Sequence, residues 1–395
     1  MTISTQIQGV VVAWQVYDIT KDPLSLGLMG LAEVVPVLII ALYAGHLADR
    51  MNRHHITVAS LILLFACSVT FLVFNLIPGF LHAHGAWPFY AVIFVSGIAR
   101  SFAQPARQAM GAELVPRSLY PNAVAWRSST WQFAAVAGPA LGGLIYGFAS
   151  PRVAYVADAL LMAVAAVWFW TIDYEHKPST ERRGSIAQSL GVGVRFVFGE
   201  SVLLSAMALD MFSVLIGGAE ALLPVFADQI LHVGPQGLGV LRAAPAIGAV
   251  TASLYLAHRP PFKRAGITLL CAVAAFAVSI IGFGLSRSVA VSVVLLALSG
   301  VADNVSVLIR STLLQSLTPE QLLGRVSSVN SIFVGSSNEI GALESGIAAK
   351  LLGPVPAVVL GAATSLAVVL VIGWRVPRLR KLCKINELTP QQQAA

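Results

Sequence analysis

Gly45-His46-Leu47-Ala48-Asp49-Arg50-Met51-Asn52-Arg53 is a short polar segment set between two long apolar runs, residues 24–46 and 56–75. Each run matches the roughly 20 residues that a helix needs to cross the hydrocarbon core of a bilayer. The segment therefore reads as the turn between two membrane helices, and the same alternation continues outward in both directions. Before it lies the apolar run 1–18; after it follow 87–110, 123–148 and 153–172, then 202–223, 235–257, 265–285, 289–309, 326–351 and 354–374. An open strand edge in lipid would leave backbone groups unsatisfied, so helices are expected throughout. The fold expected is an all-α polytopic membrane protein with 12 transmembrane helices. The first run reaches only about 25 Å as a helix, which predicts a start upstream of Met1.

Composition agrees. Of 395 residues 57% are hydrophobic and 11% charged, where a soluble domain carries about 25% charged, and mean hydropathy is +0.79. The net charge of +7 would suggest nucleic acid in a soluble protein, but here the basic residues sort by side. Eighteen of them fall on one face, including Arg50, Arg53, Arg107, Arg117, Arg310, Arg325 and the cluster at 375–384; the other face has only Lys21, Arg152, Arg287 and Lys350. The positive-inside rule makes the first face and the C-terminus cytoplasmic, in a cell inner membrane, with the bilayer and not nucleic acid as partner. Cys67, Cys271 and Cys383 offer no disulfide or metal spacing, and neither a metal nor a cofactor is expected. No cleavable signal peptide is visible at the start.

The polar stretch 173–201 divides the chain into a six-helix half at 1–172 and another at 202–374, with a basic tail at 375–395. The halves repeat. At an offset of 203, Gly97, Arg107, Pro116, Gly138 and Gly143 answer Gly300, Arg310, Pro319, Gly341 and Gly346. At an offset of 209, Gly30 and Pro36 answer Gly239 and Pro245. Two such pseudo-repeats, related by an axis along the membrane normal, predict a substrate cavity between them and a rocking motion around it.

Three segments resemble a known family. The turn quoted above, with Gly45, Asp49, Arg50 and Arg53, resembles the G-x-L-a-D-r-x-g-r-[RK] signature between helices 2 and 3 of the major facilitator superfamily, with Asn52 and His54 as mild departures. Ala134-Ala-Val-Ala-Gly138-Pro139-Ala-Leu-Gly142-Gly143 resembles the superfamily's antiporter signature G-x-x-x-G-P-x-x-G-G, its first Gly replaced by Ala134. The stretch 313–326, containing Thr318-Pro319-Glu320 and Gly324-Arg325, resembles the branch of enterobactin, macrolide and multidrug exporters. The resemblance covers nearly the whole chain and implies the major facilitator fold, alternating access and proton-exchanging export. It implies a gating role for the first motif and an antiporter role for the second. The Arg that the superfamily tends to carry in helix 4 before a Gly is Ile93 here, while Arg100 follows Gly97. Thr318 is expected to cap the helix opened by Pro319.

Charges inside a membrane are costly and mark function by default. Glu33, Arg100, Asp210, Arg242, Asp303 and Glu339 are therefore the candidate substrate and proton pathway, with Glu33 matched to Arg242 and Arg100 to Asp303 by the repeat. Trp126, Trp131, Phe133, Phe212 and Phe226 either line a cavity or face lipid. Asp158, placed near the outer end of its helix, reads as structural. No phosphate-binding loop or nucleophile elbow is present, which argues against an ATP-driven pump and an enzyme. The leading function is proton-coupled export of a small molecule, siderophore-like or drug-like, by a monomer. The alternatives are a proton-coupled uptake symporter and a transport-inactive sensor or assembly partner.

Overall fold

The computed structural model describes residues 1–116, 119–174, 186–217, 219–259, 262 and 264–382, with the backbone alone at 41–50, 112, 120–121, 186–190 and 320. Six helices form the first half: α1 Thr2–Thr20, α2 Leu24–Arg50, α3 Arg53–Leu76, α4 Trp87–Leu114, α5 Tyr120–Phe148 and α6 Pro151–Trp170. After a helix at Ile186–Gly199 come α7 Ser201–Leu215, continued by short turns to Ile230, then α8 Gly234–Ala257, α9 Ala265–Leu285, α10 Val289–Leu317, α11 Glu320–Leu352 and α12 Pro354–Arg375. Among the described residues, seven of these are long and apolar enough to cross a membrane: α3, α6, α7 with its continuation, α8, α9, α10 and α12. The polar residues of α4, α5 and α11 set those helices apart from the seven.

Local chemistry explains the boundaries. The Asn52 side chain accepts from His54 N at 3.0 Å and so opens α3, and Ser150 accepts from Val153 N at 3.3 Å with Pro151 in the first turn of α6. Both are N-caps that satisfy an orphan backbone donor. Thr318 does not cap as expected. Pro319 holds the N-cap position of α11 without a side-chain bond, and the Thr318 hydroxyl is buried without a hydrogen-bond partner among the described residues. Thr318 instead closes α10, with an extended backbone.

The chain divides into two compact units, Met1–Arg182 with Leu223–Ala243, and Arg183–Leu222 with Ala244–Ala395. Each unit contains the same crossing. In the first, a Cβ placed on Gly97 of α4 would stand 2.7 Å from Pro36 Cγ of α2; in the second, one on Gly300 of α10 would stand 1.9 Å from Pro245 O of α8. The residues that answer one another along the sequence thus meet in equivalent helix contacts. Small residues let membrane helices approach this closely.

The core of the first unit stacks Phe71 on Phe89 and Tyr155, with ring centroids 5.5 and 5.6 Å apart. Beside it runs a polar seam. Ser4 donates to Asp158 Oδ1 at 2.5 Å and Gln8 to Oδ2 at 3.0 Å, while Tyr155 donates to Gln15 Oε1 at 2.8 Å and Gln15 to Asn75 Oδ1 at 2.5 Å. Asp158 is fully buried and lies about two turns inside α6 rather than near its end, which corrects its expected depth and gives its structural reading a mechanism. Asp158→Leu would strand two buried donors and is expected to destabilise the protein by about 1–3 kcal/mol, with Asp158→Asn costing less because it keeps one acceptor. The thermal unfolding midpoint of the purified protein reads this.

Candidate functional site

In the second unit, Asp210 of α7 and Arg310 of α10 form an ion pair with side chains 8% and 12% exposed. Asp303 stands seven residues before Arg310, on the same helix face. Asp210 and Asp303 both line a small cavity with Ser213, Val214, Val273, Phe276 and Ser306. The charges of Arg310, Asp210 and Glu220 all act on Asp303.

Arg107 and Arg310, counted on the basic face, both lie within helices, α4 and α10, which run on to Leu114 and Leu317.

In the first unit Glu33 of α2 pairs with Arg100 of α4. This corrects the expected matching, which took repeat counterparts as partners; the pairing instead follows the α2 and α4 crossing at Gly97. Arg242, half-buried on α8, lies against α1, where a Cβ on Gly9 would stand 3.7 Å from its Nη1. Glu339 sits half-buried on α11.

The gating motif is described only in part: the side chains of Gly45, Asp49 and Arg50 lie outside the described residues, while Arg53 is buried and pairs with Glu113 at the end of α4. Tyr174 donates its hydroxyl to the same carboxylate, and His54 bonds Phe169 O at 2.8 Å. The turn is therefore tied to α4 and to the chain leaving α6. Neither Glu113 nor Tyr174 carried a motif, so sequence reasoning passed over them.

The small residues of α5 have two faces. A Cβ on Gly138 would stand 2.4 Å from Gln6 Cβ, and one on Gly142 3.2 Å from Ile7 Cα, so both press on α1. A Cβ on Gly143 would stand 2.8 Å from Gly239 Cα and 2.5 Å from Pro235 O, at the start of α8. Pro139 lies within α5, and its carbonyl would be 2.7 Å from a Cβ on Gly239. Nearby, Lys21 bridges Asp18 at 2.9 Å and Asp228 at 3.2 Å. Of the aromatic candidates, Phe226 is fully buried and Phe212 half-buried, while Trp126, Trp131 and Phe133 are 71%, 55% and 64% exposed.

A family described as transmembrane secretion effector, within the major facilitator superfamily, matches residues 1–393. The chain belongs to this family. Among curated relatives is the enterobactin exporter EntS of Escherichia coli O1:K1 / APEC, 25% identical over 362 residues, covering 89% of this chain and 83% of that one. Another is the uncharacterized MFS-type transporter YhjO of Bacillus subtilis (strain 168), 24% identical over 310 residues, covering 78% and 74%. Among solved structures, a POT family transporter in complex with 5-aminolevulinic acid superposes with a TM-score of 0.73 at 12% identity over 96% of this chain and 95% of that one. A bacterial homologue of the human lysosomal transporter Spinster, inward-facing and unoccupied, gives 0.69 at 15% identity over 96% and 93%. These likenesses fix the major facilitator fold, and the chain is a multi-pass membrane transporter, not an enzyme.

Proposed function

We propose that the protein exports a small organic molecule, siderophore-like or drug-like, across the cell inner membrane in exchange for protons. It works by alternating access as a monomer, with its C-terminus cytoplasmic. The observation that carries this reading is the Asp210–Arg310 ion pair at a small cavity that Asp210 shares with Asp303. When Asp303 releases its proton, its carboxylate competes with Asp210 for the Arg310 guanidinium. That competition links proton occupancy to the register of α7 against α10, the kind of coupling an antiporter needs. The α5 glycine pattern and the similarity to an enterobactin exporter support outward transport. The orientation is supported by the excess of basic residues on one face of the sequence pattern, at helix ends and between helices.

The test uses energised everted membrane vesicles carrying a pH-sensitive dye, to which catecholate siderophores, macrolides and cationic dyes are added in turn. At least one compound is expected to drive proton release, and Asp303→Asn to abolish that release while the protein remains in the membrane. Proton movement in the same direction as the compound would make the protein a symporter. No response to any compound would favour a sensor or assembly role.

A further inference from the structure

α12 ends at Arg375, and the chain then turns into a short helix, Pro377–Arg380, that folds back on the head of α9. Leu379 of that helix is fully buried, in the core that also holds Leu269 of α9, Leu313 of α10 and Val369 of α12. A Cβ on Gly266 would stand 1.7 Å from Leu379 O, and Gly266 N donates to Leu382 O at 3.3 Å. That carbonyl satisfies one of the orphan donors in the first turn of α9. Backbone contacts thus clamp the segment after α12 beside Arg264, the N-cap residue of α9.

The clamp gathers cations. Arg264, Arg375, Arg378, Arg380 and Lys381 are all exposed, and none of them forms an ion pair among the described residues, whereas Arg53, Arg100 and Arg310 each hold a carboxylate. Neither stretch of chain, 255–268 or 373–384, contains an Asp or a Glu. Like charges fixed on a folded backbone cannot spread apart, and a bound anion relieves their repulsion. The level of the site in the membrane says which anion. α12 is long and apolar enough to cross a bilayer, so Arg375 at its end stands where the hydrocarbon gives way to headgroups. Trp374 is 73% exposed, with the Arg375 guanidinium 6.0 Å from its ring centroid, and an exposed Trp at a helix end is an interfacial anchor. Guanidinium groups grip phosphate oxygens in bidentate fashion.

We propose that the clamped segment after α12 and the head of α9 form a binding site for the phosphate of an anionic lipid headgroup, with Arg264, Arg378, Arg380 and Lys381 supplying the charge and Trp374 the anchor at the lipid surface. The site requires neither the exporter reading nor a particular face for the C-terminus, since headgroups border the end of α12 in either orientation.

The experiment extracts the full chain from vesicles of equal phosphatidylglycerol and phosphatidylcholine and measures the lipid that stays bound through purification. Phosphatidylglycerol is expected to be retained over phosphatidylcholine by at least about tenfold. Arg378→Gln, Arg380→Gln and Lys381→Gln combined should abolish that preference, and the three corresponding Lys or Arg exchanges should keep most of it. These side chains are exposed, so folding should not suffer, and an unchanged unfolding midpoint in pure phosphatidylcholine checks this. Gly266→Ala keeps every cation but presses on the Leu379 carbonyl, a backbone atom that cannot rotate aside, so it should weaken retention by unseating the segment. Arg195→Gln with Arg325→Gln removes two exposed cations elsewhere in the same unit and should leave retention at the wild-type level. Equal retention of the two lipids, a preference that survives the triple Gln substitution, or one lost as fully in the Arg195 and Arg325 variant overturns the site. A last arm adds inorganic phosphate to the chain in phosphatidylcholine nanodiscs: a rise in unfolding midpoint equal to that given by phosphatidylglycerol would overturn the lipid assignment in favour of a soluble phosphate. No proton gradient enters these measurements, so failure of proton coupling at Asp303 would leave their result untouched.

Discussion

Arg310→Gln is expected to lower stability by about 3–5 kcal/mol, because it leaves the carboxylate of Asp210 buried beside that of Asp303 with no compensating cation. The acids would respond by taking up protons, since a neutral carboxyl costs far less to bury than a lone carboxylate. Asp210→Asn combined with Arg310→Gln removes one charge of each sign and should recover most of the lost stability. A double-mutant cycle on the unfolding midpoints of the purified protein isolates the interaction, and a coupling near zero would mean that the pair contributes nothing to the folded protein. Transport separates the same variants differently. The double variant should be stable but uncoupled, because Asp303 no longer has a guanidinium to compete for. Stability and proton release recovering together would assign Arg310 a purely structural role.

The parts of the fold legible in the sequence are those fixed by periodic or translational patterns. Apolar runs located the helices because lipid admits little else, and the repeat matched Gly97 to Gly300 and Pro36 to Pro245, residues that meet in equivalent crossings, Gly97 against Pro36 and Gly300 against Pro245. What remained illegible depends on where a helix stops and which side chain it meets. Arg310 falls just past its apolar run, 289–309, because the apolar signal ends before the hydrogen-bonded helix does. Glu33 has Arg242 as its counterpart in the repeat, yet it bonds Arg100, since α2 and α4 cross within one unit and carry the two side chains to the same level. Thr318 shows the same limit at a smaller scale: a capping residue type stands in a capping position, but its backbone closes the preceding helix instead.

The close helix crossings make a further prediction with an unusual sign. In an exposed helix interior Gly→Ala normally stabilises, by about 0.4–1 kcal/mol, because alanine has less chain entropy to lose. At Gly324 and Gly335 of α11 an added Cβ would meet open space, with nothing within 4 Å, so Gly335→Ala should follow that rule. Gly300→Ala should do the opposite, since its methyl group would sit 1.9 Å from Pro245 O, a backbone atom that cannot rotate aside. Overpacking of that kind costs about 1–3 kcal/mol or more, and it must push α10 away from α8. Gly97→Ala meets Pro36 Cγ at 2.7 Å and Glu33 O at 2.9 Å, so it should destabilise less, while also shifting the backbone that carries Glu33 toward Arg100. The order expected in thermal unfolding is therefore Gly335→Ala at or above wild type, Gly97→Ala below it and Gly300→Ala lowest. Because α10 also carries Asp303 and Arg310, Gly300→Ala should lose proton coupling even at temperatures where it remains folded. Wild-type stability and coupling in that variant would show that the α8 and α10 crossing is looser than its geometry implies, and would remove the rigid frame on which the proposed proton site depends.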